Sequence, residues 1–417
     1  MLTVPRHRSR RGEMKSMDIV VQKFGGSSLS DLQKLGKVAD LAVATQRAGS
    51  AVVVVVSAMG RTTEGLLELA REAALGGPSP QEFEPPRREL DMLVSTGERV
   101  SMALLSIAIQ ARGTSALSFT GSQSGILTTD RHFDARIVEV RPQRIQDELA
   151  RGQIVIVAGY QGMSLRREIT TLGRGGSDTT AVALAAALGA RRCEIYSDVD
   201  GVYSADPNTV PEARHLPTVD YATLGEMADA GAKVINAQAV AWGRRHGVAV
   251  HARRTSDYAS GAGGRETRVV PLGGEASAAR AIVTDRRVCA IGVDAAAVHA
   301  LLGVAEACEL PVRDVQVADG RALVAVPLTS VPDLGRARRA LESARLPGFR
   351  LTQDLAELSA VGAGIGAAPE RCAAALRLLA EPPLFTVATS LRLSAVVPLD
   401  AAARAETAWH QLFVDAA

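Results

Sequence analysis

Short runs of β-branched residues alternate with longer Ala/Leu-rich stretches through the first 270 residues of this chain. Ile19 to Gln22, Ala51 to Ser57, Ile154 to Val157 and Glu194 to Ser197 read as strands. Leu32 to Arg47, Glu89 to Gln110 and Asp178 to Leu188 carry the 3.6-residue spacing of helices. The strands are apolar at successive positions: Val52 to Val56 is an unbroken valine run. A strand without a polar face is covered on both sides, so strands of this kind separated by helices predict a mostly parallel sheet between two helical layers. Pro78 to Pro86 (PSPQEFEPP) is a loop by composition.

Beyond a Gly-rich stretch, Gly261 to Gly264 with Gly273 and Gly274, the pattern changes, and a hinge to a second region is expected there. Val288 to Val293 and Glu357 to Val361 read as matching strands. Each leads into an Ala/Leu helix, Ala295 to Ala307 and Pro369 to Ala380. This weak duplication, at a period of roughly 70 residues, predicts two small α+β modules.

Composition narrows the function classes. At 417 residues there is room for two or three domains. Lys and Arg total 47 against 45 Asp and Glu, too even a balance for a nucleic-acid binder that works by bulk charge. Aromatic residues are only 3%, which also excludes a base-stacking platform. No continuous apolar run approaches the roughly 18 to 20 residues of a membrane span, so no membrane partner is expected. The Arg-rich start has no apolar stretch behind it and does not read as a secretory signal; residues 1–17 are expected to be a flexible leader, with Met14 and Met17 as alternative starts. Cys193, Cys289, Cys308 and Cys372 are too widely spaced for a metal site and read as four buried thiols of a reducing, cytoplasmic compartment.

Six stretches carry candidate chemistry. Lys23-Phe24-Gly25-Gly26-Ser27-Ser28 follows a strand; paired glycines let backbone N–H groups approach an anion, and a lysine entering the turn can neutralise phosphoryl charge. It lacks the spacing of a Walker A loop. Thr170 to Thr180 (TTLGRGGSDTT) opens onto a helix, where glycines, hydroxyls and a helix start make a nest for phosphate or carboxylate. Arg174 within it suits bidentate recognition of a carboxylate, and Asp178 either caps the helix or holds Mg²⁺. Ser57-Ala58-Met59-Gly60 ends the valine strand, and Thr96-Gly97-Glu98 stands at the start of an apolar helical stretch, where Glu98 either complements the helix dipole or takes an ammonium group. Ser197 to Pro207 (SDVDGVYSADP) runs from a strand end into a polar turn, where open α/β sheets bind ligands. Gly231-Ala232-Lys233-Val234 puts a lysine after a tight turn; a surface lysine is the plainer reading.

Together these stretches, with Leu90 to Ala103 (LDMLVSTGERVSMA) and Ser118 to Ser124 (SFTGSQS), resemble the aspartate kinases of the amino-acid kinase superfamily over nearly all of residues 18–270. The resemblance implies a three-layer α/β/α catalytic domain over 18–268. A regulatory region over 269–417 would follow, made of two ACT-like, ferredoxin-like modules at about 282–345 and about 269–281 plus 350–417. It implies Mg·ATP and L-aspartate as substrates and a homodimer or higher homo-oligomer formed through the modules. Lys23 would stabilise the transferring phosphoryl group, while Gly25, Gly26 and Ser27 bind phosphate oxygens. Arg174 would clamp the α-carboxylate and Glu98 the ammonium of aspartate. Ser28, Ser57, Gly175 and Ser177 would line the same pocket, with Asp178 organising Mg²⁺ or the substrate amine. Ser197, Asp198, Tyr203, Asp206 and Lys233 would meet the nucleotide. The alternatives are a kinase for a modified aspartate or related small amino acid, and a non-catalytic regulatory homologue.

The chain departs from the family where effectors are held. Asp294-Ala295-Ala296-Ala297 stands in place of an Asp-x-Pro-Gly turn, Gly366 to Glu370 replaces a second Pro-Gly turn, and Ala388-Thr389-Ser390-Leu391 lacks a glutamate. Asn208, Ile235-Asn236 and Gln238 differ from the family on the nucleotide side. Weak or absent inhibition by lysine and threonine is therefore expected, as would suit a specialised biosynthetic route.

Overall fold

The computed structural model describes residues 18–75, 85–173, 175–232, 235–259, 263–271, 280–331 and 334–415. In chain order the first region contains β1 (Ile19–Phe24), α1 (Leu32–Arg47), β2 (Ala51–Val56), α2 (Thr62–Ala74), α3 (Arg87–Gln110), β3 (Ala116–Phe119), β4 (Ile126–Thr128), β5 (Ile137–Val140), α4 (Gln143–Ala150) and β6 (Ile154–Ala158). There follow β7 (Gln161–Ser164), β8 (Ile169–Thr171), α5 (Gly176–Leu188), β9 (Arg192–Ser197), β10 (Val202–Tyr203), β11 (His215–Leu216) and β12 (Thr218–Asp220). The region closes with α6 (Tyr221–Asp229), α7 (Ala237–His246), β13 (Val250–Arg254), α8 (Thr255–Ala259) and β14 (Glu266–Val270).

Eight strands form one sheet in the order β12-β14-β13-β9-β1-β2-β6-β3. Every neighbouring pair is parallel except β13 with β14. Alternate residues of the valine strand enter opposite cores. Val52, Val54 and Val56 pack with Leu35, Val38 and Ala42 of α1 and with Leu105 and Ile109 of α3. Val53 and Val55 pack with Ala181, Val182 and Leu184 of α5 on the other face. The three-layer expectation holds, and its cause is this two-faced burial. By length and composition α3 could cross a membrane, but here it is an outer layer of the sheet, packed on α1 through its buried face. The helix runs from Arg87 straight through Gly97, so Glu98 lies in its middle and not at a helix start. Pro86 stands at its N-cap; residues 78–84 of the expected loop lie outside the described residues.

The second region contains β15 (Ala281–Asp294), α9 (Val298–Ala307), β16 (Asp314–Ala318), β17 (Arg321–Pro327), α10 (Leu334–Ser343), β18 (Arg350–Val361), α11 (Pro369–Arg377), β19 (Phe385–Ala388), β20 (Arg392–Pro398) and α12 (Ala402–His410). Its sheet is antiparallel throughout, in the order β16-β17-β15-β18-β20-β19. The matching strands foreseen at 288–293 and 357–361 are parts of the two long central strands. Those strands pair with each other, with a register break between Asp285 and Val288. The sheet folds until its edges meet: Gln316 donates to the carbonyl of Thr386, and Arg392 reaches Asp314 at 3.1 Å. Val288, Ala290, Ala325, Leu355, Phe385 and Val396 fill the interior of that fold. One outer face packs on α9 and α10, the other on α11 and α12. Of the expected hinge glycines, Gly261, Gly273 and Gly274 lie outside the described residues. All four cysteines are free thiols, but only Cys193 and Cys289 are buried; Cys308 and Cys372 are partly exposed at the rim of their helices.

Candidate active site

Strand β1 delivers Lys23 one residue before it ends, and the ammonium meets Asp178 Oδ1 at 2.7 Å. Both side chains are nearly buried, at 12% and 10% exposure, so each is the principal counter-charge of the other. Asp178 does not cap α5: that place belongs to Gly175, and the carboxylate in the first helical turn turns to Lys23 instead.

After Phe24 the backbone turns sharply. Ser28 N–H donates to Gly25 C=O, and Gly25 N–H donates to Tyr196 C=O at 3.2 Å, tying the turn to β9. Gly60 N–H donates to Gly26 C=O at 3.0 Å and Ser57 N–H to Phe24 C=O at 3.1 Å, tying it to the turn after β2. A Cβ on Gly26 would lie 2.8 Å from the carbonyl oxygen of Ala58, so only glycine lets the two turns close. Across the same residue stands Glu98. Its Oε1 accepts from Ala58 N–H at 3.2 Å, while Oε2 has no protein partner. Gly97 permits this approach, since a Cβ there would meet Ala58 Cβ at 2.9 Å. Glu98 is 3% exposed, and burial pushes its carboxyl up to about 7, against the pull of the Ala58 hydrogen bond. A buried carboxylate with one oxygen unused is a seat for a cation.

The loop before α5 is pinned from below. Thr171 Oγ1 donates to Asp91 Oδ1 at 2.5 Å, and Asp91 also holds His132 Nδ1 at 2.6 Å and Phe133 N–H at 3.1 Å. Gly173 and Gly175 adopt φ of 73° and 70°. At Gly175 a Cβ would also strike Asn236, which caps α7. Ser177 is buried against Gly159 at the end of β6. Arg174 and Lys233 lie outside the described residues.

The remaining candidates line the ends of β9 and β13. Ser28 and Thr255 share a hydrogen bond of 2.6 Å, and Thr255 donates to Ser197 C=O at 3.1 Å, joining the glycine turn to this second cluster. Asp198 and Asp206 are exposed; Asp206 accepts from Asn208 N–H and from its side-chain amide, both at 2.9 Å. Tyr203 is half-buried and donates to Asp200 at 2.8 Å. Asp200, 2% exposed, also takes Arg254 at 3.2 Å and Arg265 at 3.0 Å. Burial pushes its carboxyl up, but Tyr203 and the two arginines hold it below the usual carboxylate range.

Thus Lys23, Gly25, Gly26, Ser28, Ser57, Glu98, Ser177 and Asp178 converge at the carboxyl ends of β1, β2 and β6, with Ser27 exposed on the rim. Ser197, Asp198, Tyr203 and Asp206 form the adjoining rim. Asp91, Asp200 and Thr255 were not singled out from the sequence. Asp200 stood inside a noted motif, but its hub role comes from arginines more than 50 residues away.

A family model described as the amino acid kinase family matches residues 18–253. An aspartokinase of Mycolicibacterium smegmatis is 54% identical over 238 residues, covering 57% of this chain and 55% of that protein, so this chain matches only about half of that relative's length. An aspartokinase of Thermus thermophilus is 38% identical over 423 residues, covering 95% of this chain and 99% of that one. Among solved structures, E. coli aspartokinase III in complex with aspartate and ADP superimposes with a TM-score of 0.80 at 24% identity, over 94% of this chain and 99% of the other, a likeness of fold.

Proposed function

This chain belongs to the amino acid kinase family and, within it, to the aspartokinases, and on that premise we propose that it transfers the γ-phosphate of ATP to the β-carboxylate of L-aspartate, giving 4-phospho-L-aspartate and ADP. The observation that carries the reading is the pairing of two charge traps across Ala58: the Lys23–Asp178 ion pair beside the glycine turn, and the unpartnered oxygen of Glu98. The first suits a phosphoryl group and the second an ammonium.

The nucleophile is a carboxylate already ionised near pH 7, so no general base is needed. What the transfer needs is alignment and neutralisation of charge spreading over the phosphoryl oxygens. Lys23 supplies the charge, Gly26 and Ser27 supply donors, and Gly25, whose own N–H is committed to Tyr196 C=O, lets the backbone turn there without side-chain obstruction. Arg174 takes the α-carboxylate and Glu98 the ammonium. Ser28, Ser57, Gly175 and Ser177 shape the space between them. The nucleotide meets Ser197, Asp198, Tyr203, Asp206 and Lys233. Among the described residues no cluster of three or more metal-ligating side chains exists. The lone Asp178 carboxylate beside the turn still fits Mg²⁺, which takes one or two carboxylates and keeps phosphate and water oxygens. When bound, the ion would offset phosphate charge.

Residues 269–417 are read as two regulatory modules, about 282–345 and about 269–281 plus 350–417, that pair between chains in a homo-oligomer. Free thiols throughout support a cytoplasmic location. Release of ADP is measured with Mg·ATP against L-aspartate, D-aspartate, N-acetyl-aspartate and L-glutamate, trapping the acyl phosphate with hydroxylamine. Saturable turnover and hydroxamate with L-aspartate are expected. Faster turnover with an N-blocked acid, or none with any acid, would overturn the reading.

A further inference from the structure

Ser204 stands between Tyr203 and Asp206, and unlike them it is wholly buried. Every polar atom it owns is engaged. Its N–H donates to Arg214 C=O at 2.9 Å, and its carbonyl accepts from Ile282 N–H of β15 at 2.7 Å. Its hydroxyl oxygen accepts from Arg214 N–H at 2.8 Å and lies 2.8 Å from His410 Nε2. His410 is the last residue of α12, more than 200 residues away, and is itself 0% exposed. Asp415 sits 3.3 Å from the other imidazole nitrogen and accepts from Arg214 at 2.7 Å.

The serine, histidine and carboxylate are neighbours, but they cannot act as a hydrolytic triad: His410 Nδ1 makes no hydrogen bond to the carboxylate. No substrate reaches a hydroxyl with zero exposure that already accepts a backbone hydrogen bond. What the array does is mechanical. Ala205 and Val210 have no core of their own within the kinase region; they pack with Trp409 and Phe413 in the core of the second region. Arg286 adds a bridge, reaching Glu406 at 2.6 Å and Thr209 at 3.4 Å. The whole turn from Ser204 to Arg214 is therefore seated on the C-terminal helix.

We propose that His410 is a positioning residue of the nucleotide subsite, holding the Tyr203–Asp206 turn in place through Ser204. This rests on the reading of Tyr203 and Asp206 as nucleotide contacts. The C-terminal helix then belongs to the ATP site as much as to the regulatory sheet. Truncating the imidazole opens a buried hydrogen bond and a cavity beneath the turn, and a turn displaced by even 1 Å grips its ligand poorly.

The test is steady-state kinetics on the full chain, varying ATP and aspartate separately, with melting temperature recorded for each variant. His410→Ala is expected to raise the KM for ATP roughly tenfold, the size of one lost buried hydrogen bond. The KM for aspartate should stay within about twofold. His410→Gln, whose amide can still meet Ser204 Oγ, should recover most of the ATP affinity. A residue of purely structural importance would lower the melting temperature and the active fraction while leaving both KM values in place, and that result overturns the proposal. So does a parallel rise of both KM values. If His410→Ala does not fold, Ser204→Ala and His410→Gln decide: a normal KM for ATP in Ser204→Ala overturns it. Tyr203→Ala and Asp206→Ala separate the two layers. If neither moves the KM for ATP, the nucleotide reading falls and this inference with it. If they do and His410→Ala does not, this inference alone falls.

Discussion

Lys23 and Asp178 hold opposite charges in a nearly dry cleft, and each would be costly to leave alone. In the proposed reaction the lysine matters most when charge spreads over the phosphoryl oxygens. Lys23→Ala should therefore cut kcat by roughly two decades or more, with a native circular dichroism spectrum. Unchanged turnover in the folded variant would strip Lys23 of that role. Glu98 makes a different prediction. Its folded-state carboxyl is raised to about 7, above an unfolded value of 4.5, because burial disfavours the charge. The native state thus binds the proton more tightly, and this stabilises the fold below 4.5 and is lost as pH rises through 7. In the proposed reaction aspartate needs the ionised form as partner for its ammonium. The KM for aspartate should rise about tenfold per pH unit as pH falls below 7, with proton release on binding. Glu98→Gln should bind aspartate poorly at every pH with a flat profile; a Glu98→Gln enzyme that keeps the wild-type slope would assign the titration elsewhere.

At the scale of elements, α1, β2 and the run of α5 were legible because each follows one rule without competition: a periodic apolar face, an unbroken β-branched run or an Ala/Leu-rich run. Helix α3 was legible in extent, but Gly97 suggested a boundary that does not exist. The glycine is there for the contact with Ala58, and the helix continues because its neighbours are good helix formers. Helix α6 shows how local signals fix an end. Asp220 caps it by accepting from the N–H groups of Ala222 and Thr223 and from the Thr223 hydroxyl, all within 2.9 Å, while fully buried. Asp220→Ala should cost about 1 to 2 kcal/mol in urea denaturation. A change of a few tenths would mean that packing by Tyr221 and Leu224, not the cap, sets that end.

Across the whole molecule the two regions are fastened at several separate places. Arg392 of β20 lies 3.7 Å from Glu226 of α6, and Gly231 approaches Asp285 so closely that a Cβ would be 2.9 Å away. Arg131 reaches Glu309 beyond α9 at 3.3 Å. Half-buried Arg313 bridges Asp285 at 2.8 Å and Glu357 at 2.7 Å within the folded sheet. The sheet of the second region is thus fastened to the first region by side chains from several elements. The turns expected to hold an effector are the altered ones: Asp294 leads into a short 3₁₀ turn of alanines, and the Thr389 hydroxyl accepts from Arg392 N–H to close the stretch from Ala388 to Leu391. An amino acid whose charged ends find no partner there gains little. Activity with lysine, threonine or both at millimolar levels should fall by less than twofold. Inhibition of tenfold or more would show that the altered turns still make a working site.

By itself the sequence determined the kinase-region layers, the glycine turn after Lys23, the glycine-containing loop before α5 and the presence of two α+β units, because each depends on residues within one helix or one strand-turn pair. Tertiary structure alone decided the rest. Asp178 could be read as a helix cap until Gly175 took that place and β1 brought Lys23 to the carboxylate, and Glu98 kept one oxygen unpartnered only because α3 buries it against Ala58. Asp200 and His410 gained their roles from partners dozens or hundreds of residues away. The two modules likewise proved to share their central strands, since β15 and β18 pair along their length. Such pairings are chosen by packing over long sequence separations, where local periodicity carries no information.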